Sequence, residues 1–191
     1  MKQNSKWFKI GALAVIIALG LGVLYNYVPL TQKQDQLISF YDDARDNKEI
    51  HQIFKENWYW LIASFPTYEP DYVNYMFKGK NAGLDPRFAG LLNTKVLREN
   101  NQLVGFVAYY MENWYEGRIL FLAVREMFRG KGYAEKLLES AVEDLKTRGA
   151  TKVVLLTRQS NLRAQKVYKR AGFAEINRDD EGFVHFEKLI K

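Results

Sequence analysis

Phe128–Leu138 reads FRGKGYAEKLL and sets two glycines and two cations directly ahead of a run with helical character. Just before it, RILFLAV (118–124) reads as a strand, so Arg129-Gly130-Lys131-Gly132 is predicted to form a strand-to-helix turn. After it, Ala134, Leu137, Leu138, Ala141, Val142 and Leu145 recur with a 3.6-residue period, Lys146 and Arg148 fall in the last turn, and Gly149 stands where a helix stops. The first N–H groups of a helix have no intrahelical partner and the macrodipole adds partial positive charge, so a basic, glycine-bearing turn at that place suits phosphate. Two familiar phosphate loops do not fit. A G-x-x-x-x-G-K-[ST] loop fails because Tyr133 follows Gly132, and G-x-G-x-x-G fails because Glu135 occupies the place of the third glycine. Taken alone, the stretch also reads as a basic turn capping an amphipathic helix.

Working outward, the organisation is that of one mixed α/β domain over 37–191 without internal repeats. QLISFYDD reads as a short strand, and NKEIHQIFKENWYWLIASF as a helix with Ile50, Ile53, Phe54, Trp58 and Leu61 on one face, ended by Pro66. The aromatic, proline- and glycine-bearing stretch 66–90 gives no clear periodicity. TKVLREN, QLVGFVAYYMENW and RILFLAV predict an antiparallel meander, with turns at Asn100-Asn101 and Glu116-Gly117. KVVLL predicts a fifth strand. Ser160 or Asn161 then caps a helix with Ala164, Val167, Tyr168 and Ala171 on one face, Gly172 ends it, and GFVHFEKLI forms the last strand. The predicted order is β-α-βββ-α-β-α-β.

RGKGYA (129–134) matches the pattern R/Q-x-x-G-x-G/A, and about thirty residues later SNLRAQKVYKRAGF (160–173) matches N-x-x-A-x-x-x-Y-x-x-x-G-F, with Asn161, Ala164, Tyr168, Gly172 and Phe173 in register. On these two motifs the chain resembles the GNAT superfamily of N-acetyltransferases, strongly from Leu103 to Phe173 and by pattern alone elsewhere in the domain. The resemblance implies a GNAT-like acyl-CoA N-acyltransferase fold with acetyl-CoA as co-substrate. Its diphosphate would lie against the backbone from Gly130 through Tyr133 to Ala134 with Arg129 and Lys131 alongside, and its pantetheine arm along Leu122, Ala123 and Val124. Asn161 would serve as helix cap, as ligand to the pantetheine amide, or as both.

The resemblance further implies direct transfer of the acetyl group to a primary amine of a protein, peptide or small molecule through a ternary complex. A lysine-like amine at pKa 10.4 has to lose its proton first, which at pH 7 costs about 4.6 kcal/mol. Tyr168 matches the tyrosine that serves the superfamily as general acid toward the departing sulfur, and on its own it also reads as core packing on an apolar helix face. The protein N-terminal acetyltransferases it resembles often carry a glutamate on the fifth strand two residues before an arginine, whereas here Leu156 and Thr157 precede Arg158. Glu112, just past the second meander strand, is the nearest substitute as base; a solvated turn carboxylate and proton removal through ordered water stand beside it. NWYW (57–60) and the stretch 66–90 fall where the superfamily builds its acceptor site; on their own such aromatics are more often core, and an interfacial role beside a membrane is a third reading.

Composition narrows the alternatives. The 191 residues, 48% apolar and 26% charged, are those of a folded chain. With no cysteine, disulfides, thiolate catalysis and Cys-ligated metals are excluded, and the only two histidines, His51 and His185, give no metal or triad spacing, so no metal is expected. Setting aside Lys2, Lys6 and Lys9 lowers the net charge from +6 to +3, and no nucleic-acid-binding signature is present, so no nucleic-acid partner is expected.

The remaining feature is Ile10–Val28, IGALAVIIALGLGVLYNYV, nineteen residues without a charge, long enough at about 1.5 Å per residue to span most of a bilayer core of about 30 Å. It predicts a transmembrane anchor (10–28) behind a basic flank (1–9) and ahead of a linker (29–36), hence a single-pass membrane protein. The rival is a signal peptide cleaved after Ala18-x-Gly20 or Gly20-x-Gly22. Lysine asymmetry would place the domain outside, but a cytosolic donor places it in the cytoplasm. Two non-enzymatic alternatives accompany the acetyltransferase reading: a non-catalytic acyl-CoA-binding module, and a membrane-surface or nucleic-acid adaptor using the basic turn.

Overall fold

The computed structural model describes residues 36–77 and 92–190, all within the folded unit Asp35–Lys191. Strands β1 (Gln36–Phe40), β2 (Asn93–Glu99), β3 (Gln102–Met111), β4 (Glu116–Val124), β5 (Lys152–Arg158), β6 (Ala174–Arg178) and β7 (Phe183–Leu189) form one seven-stranded sheet in the order β1-β2-β3-β4-β5-β7-β6. Every neighbouring pair is antiparallel except β4 and β5. Helices α1 (Asp43–Leu61) and α2 (Pro70–Phe77) cover one face, and α3 (Tyr133–Thr147) and α4 (Leu162–Arg170) the other.

The central strand shows why. β3 is buried on both sides, so its apolar run does not alternate with polar residues. Val107 and Tyr109 point into a core with Leu137, Leu138, Ala141 and Leu145 of α3, Tyr168 of α4 and Phe186 of β7. Phe106, Ala108 and Tyr110 point into a second core with Ile50, Ile53, Phe54 and Trp58 of α1 and Val73 and Met76 of α2. The β2–β3 connection is the expected tight turn, with Asn100 and Asn101 both at positive φ (49° and 64°), the geometry that suits a two-residue hairpin.

Four expectations need correction. Glu116-Gly117 lies inside β4, and the turn is made one step earlier, where the Asn113 side chain accepts hydrogen bonds from the amides of Tyr115 and Glu116. Helix α2 and strand β6 are additional elements. The transmembrane part of the expected fold class is also overturned: among the described residues no helix is long and apolar enough to cross a membrane. The longest, α1, carries charges at Asp43, Arg45, Asp46, Lys48, Glu49, Lys55 and Glu56, and one side of it is solvated. The stretch 10–28 lies outside the described residues, and the membrane partner and single-pass location inferred from it fall with the anchor.

Candidate functional site

Two parallel strands that diverge make the site. β4 and β5 pair only through Glu116–Arg118 and Lys152–Val154, although β4 runs on to Val124 and β5 to Arg158. On its other edge β4 carries a bulge: Ile119 faces Tyr109 and Phe121 faces Ala108, leaving Leu120 between them without a partner. A bulge bends the strand and increases its twist. Beyond it a cavity of about 1240 Å³ opens between the strands, lined by Leu120, Leu122, Ala123 and Val124 on one side and Leu156, Thr157 and Arg158 on the other. Cavities for a single small molecule usually measure about 300–1,000 Å³, so this one has room for a long ligand together with a second reactant.

At one end lies the glycine turn. Gly130 and Gly132 adopt φ of 81° and 79°, the left-handed region that side-chain-bearing residues avoid. A Cβ added at either would meet nothing within 4 Å, so the space in front of the turn is open. Helix α3 starts at Gly132 without a side-chain cap, in contrast to α1, capped by Asp42, and α4, capped by Asn161. Gly130, Gly132, Tyr133 and Ala134 line the cavity, so uncapped amides border open space at the positive end of a helix dipole. This is where an anionic diphosphate fits, and it is the test that the residues meet for acetyl-CoA.

The two cations of the turn behave differently. Arg129 lines the cavity and is anchored: Nε donates to the Val124 carbonyl (3.0 Å) and Nη2 to Asn57 Oδ1 (2.7 Å). Burial first, and the neighbouring Arg163 second, lower its pKa from the usual arginine value, which leaves it charged. Lys131 is not a lining residue; its Nζ lies 5.5 Å from the Phe128 ring centroid. The Tyr133 hydroxyl turns inward to donate to Glu99, and burial together with that carboxylate pushes its pKa up to about 12, so the cavity is offered the start of α3 rather than this phenol.

Tyr168 and Asn161 share the cavity with the turn. The Tyr168 ring packs against Phe173 and Phe186, and burial raises the pKa of its phenol above the ordinary value. Among the described residues nothing hydrogen-bonds its hydroxyl. Asn161 Oδ1 accepts from the Ala164 amide (3.2 Å), which leaves its Nδ2 donors for a ligand. Glu112 lies elsewhere. It stands at the end of the sheet where β4 and β5 still pair, its carboxylate accepts from Arg118 Nε, and it does not line the cavity.

The long-range bonds that several lining residues make were not legible in the sequence. Asn57 sits at a kink in α1 (φ −123°, ψ 16°), and its side chain joins the Ile53 carbonyl to Arg129, tying helix to turn. An asparagine inside an amphipathic helix is a weak local signal for this. Arg158 donates from Nε to the Tyr59 carbonyl (2.8 Å) and from Nη2 to the Ile62 carbonyl (3.2 Å), so a strand residue holds the carboxyl end of α1. Its guanidinium lies over the Tyr59 ring at 4.3 Å and near Phe183 at 5.6 Å. Trp60 and Leu156 are exposed apolar side chains on the cavity wall.

Comparison with known proteins agrees with this geometry. The family model described as acetyltransferase (GNAT) family matches residues 47–173. The [ribosomal protein bS18]-alanine N-acetyltransferase of Haemophilus ducreyi is 34% identical over 97 residues, 51% of this chain and 66% of that one. The N-alpha-acetyltransferase 30 of Schizosaccharomyces pombe is 39% identical over 62 residues, 32% of this chain and 41% of that one. The chain thus spans slightly less than two thirds of the first relative's length and about two fifths of the second's. In fold it is similar to a Salmonella typhimurium protein solved with its cofactor acetyl-CoA, with a TM-score of 0.64 and 16% identity, covering 82% of this chain and 94% of that one. Motifs, cavity and family match converge, and the chain belongs to the acetyltransferase (GNAT) family, enzymes that use acetyl-CoA to acetylate an amine.

Proposed function

We propose that the chain transfers the acetyl group of acetyl-CoA directly to a primary amine, both reactants being held together in the cavity between β4 and β5. Bound there, acetyl-CoA supplies a thioester carbonyl whose C–S bond breaks as the acceptor nitrogen bonds to the carbonyl carbon. The amides from Gly130 to Ala134 bind the diphosphate, with Arg129 braced beside them. The free edge of β4 at Leu122–Val124 and the Asn161 amide orient the pantetheine arm. Tyr168 holds a proton at its hydroxyl and passes it to the departing sulfur, and the proton released by the acceptor nitrogen balances the exchange. Burial raises the phenol pKa, but the same burial raises that of a thiol formed beside it, so the two stay matched for transfer. Glu112, held by Arg118 away from the cavity lining, has no part in this scheme.

The observation that carries the proposal is that an uncapped glycine turn and a tyrosine whose hydroxyl has no described partner line the same cavity. The test is acetyl transfer by the full chain to a panel of primary amines, followed by mass spectrometry, beside calorimetric binding of acetyl-CoA. Tyr168→Phe is expected to keep the binding constant and to lower kcat by about 10²–10⁴-fold, the usual scale of general acid catalysis. With its pKa raised, Tyr168 stays protonated well past neutrality, so the wild-type rate shows no loss of this acid up to about pH 10, the ordinary phenol value. Unchanged turnover in Tyr168→Phe would remove the residue from the mechanism.

A further inference from the structure

We infer that the acceptor end of the cavity selects an α-amino group borne next to a large apolar side chain, the amino terminus of a polypeptide that begins with such a residue, over lysine side chains and polyamines. The inference rests on the acetyl-transfer proposal for the same cavity.

Its first support is the wall. Arg158 draws together the carboxyl end of α1, the end of β5 and the start of β7 through its bonds to Tyr59 and Ile62 and its approach to Phe183. Around it Trp60, Ile62, Leu120, Leu156 and Phe183 line the cavity. Trp60 is 46% and Leu156 43% exposed, so neither is consumed in packing the core. An apolar side chain placed against them removes apolar surface from water on both partners.

The second support is charge. The only carboxylates among the described lining residues are Glu126 and Glu135. Both flank the glycine turn at the opposite end, and Glu135 is engaged by Arg170. At the acceptor end the charged lining residue is Arg158, a cation. A polyamine or a lysine-rich substrate would bring its positive charges to a wall whose described residues include no anion there, and beside a guanidinium, an arrangement that repels it. A peptide carbonyl, by contrast, can accept from Arg158 Nη1, which no described residue engages.

The third support is the proton. Leu156 stands two residues before Arg158, where a β5 carboxylate would have served as base. Directly across the ladder from Leu156 is His185, but its Nε2 is bound to Asp179 Oδ2 (2.7 Å) and it is not a lining residue. With no base among the described residues at this place, an acceptor that arrives largely able to shed its own proton is favoured. At pH 7 an α-amine of pKa 7.7–8.0 is neutral in about one molecule in six to eleven, a lysine amine of pKa 10.4 in about one in 2,500. Without a base among the described residues of the wall, that is a preference of about two to four hundredfold before any contact is made.

The experiment measures kcat/KM of the full chain with acetyl-CoA and peptides identical but for the first residue: Leu, Phe, Ala, Glu or Lys. A peptide with a blocked amino terminus and an internal lysine, and spermidine, complete the panel. Calorimetry with acetyl-CoA alone runs alongside. The expected result is at least a tenfold advantage of the Leu- and Phe-first peptides over the Ala-first one, and no detectable acetylation of the blocked peptide or spermidine. Leu156→Glu, checked for intact acetyl-CoA binding, is expected to reduce the advantage of apolar first residues and to add an acidic-limb break to the pH profile that wild type lacks. Equal rates across first residues, a preference for lysine or spermidine, or transfer to no member of the panel while acetyl-CoA binds would each overturn this inference and leave donor binding standing. Absence of acetyl-CoA binding would overturn the acetyl-transfer proposal itself.

Discussion

Gly132→Ala separates the conformational role of the glycine turn from its role as a diphosphate seat. Gly132 sits at φ 79°, and an alanine there adopts the left-handed region at a cost of about 1–2 kcal/mol. No contact adds to this, because a Cβ at position 132 meets nothing within 4 Å. For a domain of this size each kcal/mol lowers Tm by about 2–4 °C, so the melting point should fall by about 2–8 °C. The methyl group projects into the open space before the start of α3. Losing one hydrogen bond to a charged ligand costs about 1.5–3 kcal/mol, which weakens acetyl-CoA binding by about 10–150-fold. Gly182→Ala is the matched control: its φ is 92°, its surroundings are equally empty, and it lies in the β6–β7 turn, off the cavity. Thermal unfolding should show similar losses for the two variants, and calorimetry should show weakened acetyl-CoA binding in Gly132→Ala alone. Wild-type affinity in Gly132→Ala, or equal weakening in both, would refute the assignment of the turn.

Arg158→Met releases the Tyr59 and Ile62 carbonyls while keeping a long side chain; acceptor kcat/KM should fall about tenfold or more with the acetyl-CoA Kd within about twofold, on the scale of one charge-assisted hydrogen bond. A loss confined to the donor would contradict this placing of Arg158. Leu145 is fully buried and roofs Gly117, where an added Cβ would come within 2.7 Å of it. Leu145→Ala should therefore destabilise the domain by about 2–5 kcal/mol, read as a Tm lowered by about 4–20 °C, and a shift under about 2 °C would mean that the space closes on truncation.

What the sequence made legible was local. The glycines of the turn, the period of α3, the Asn161 cap and the paired asparagines after β2 each act within a few residues of themselves, and each stands where expected, whereas Lys131 of the same turn does not line the cavity. β6 escaped notice because all five of its residues are exposed, so no alternation marks it. α2 was hidden by the prolines and aromatics around it, although Val73 and Met76 share its buried side. The divergence of β4 from β5 depends on a bulge against β3 and on a parallel pairing across the whole of α3, neither written in any short window. The same distance hid the Asn57–Arg129 and Arg158–Tyr59 bonds, which join residues 72 and 99 positions apart. The hydrophobic stretch 10–28 invited a reading from length and charge alone, and the described fold contains no membrane-crossing helix.

The separation of β4 and β5 leaves the protein with two interior rows of main-chain donors and acceptors that its own ladder does not use. A donor bound along β4, as proposed above, would act as a substitute strand and complete the sheet only on loading. Binding and folding are then coupled by mass action, and the melting temperature should climb with donor concentration long after half of the molecules are occupied.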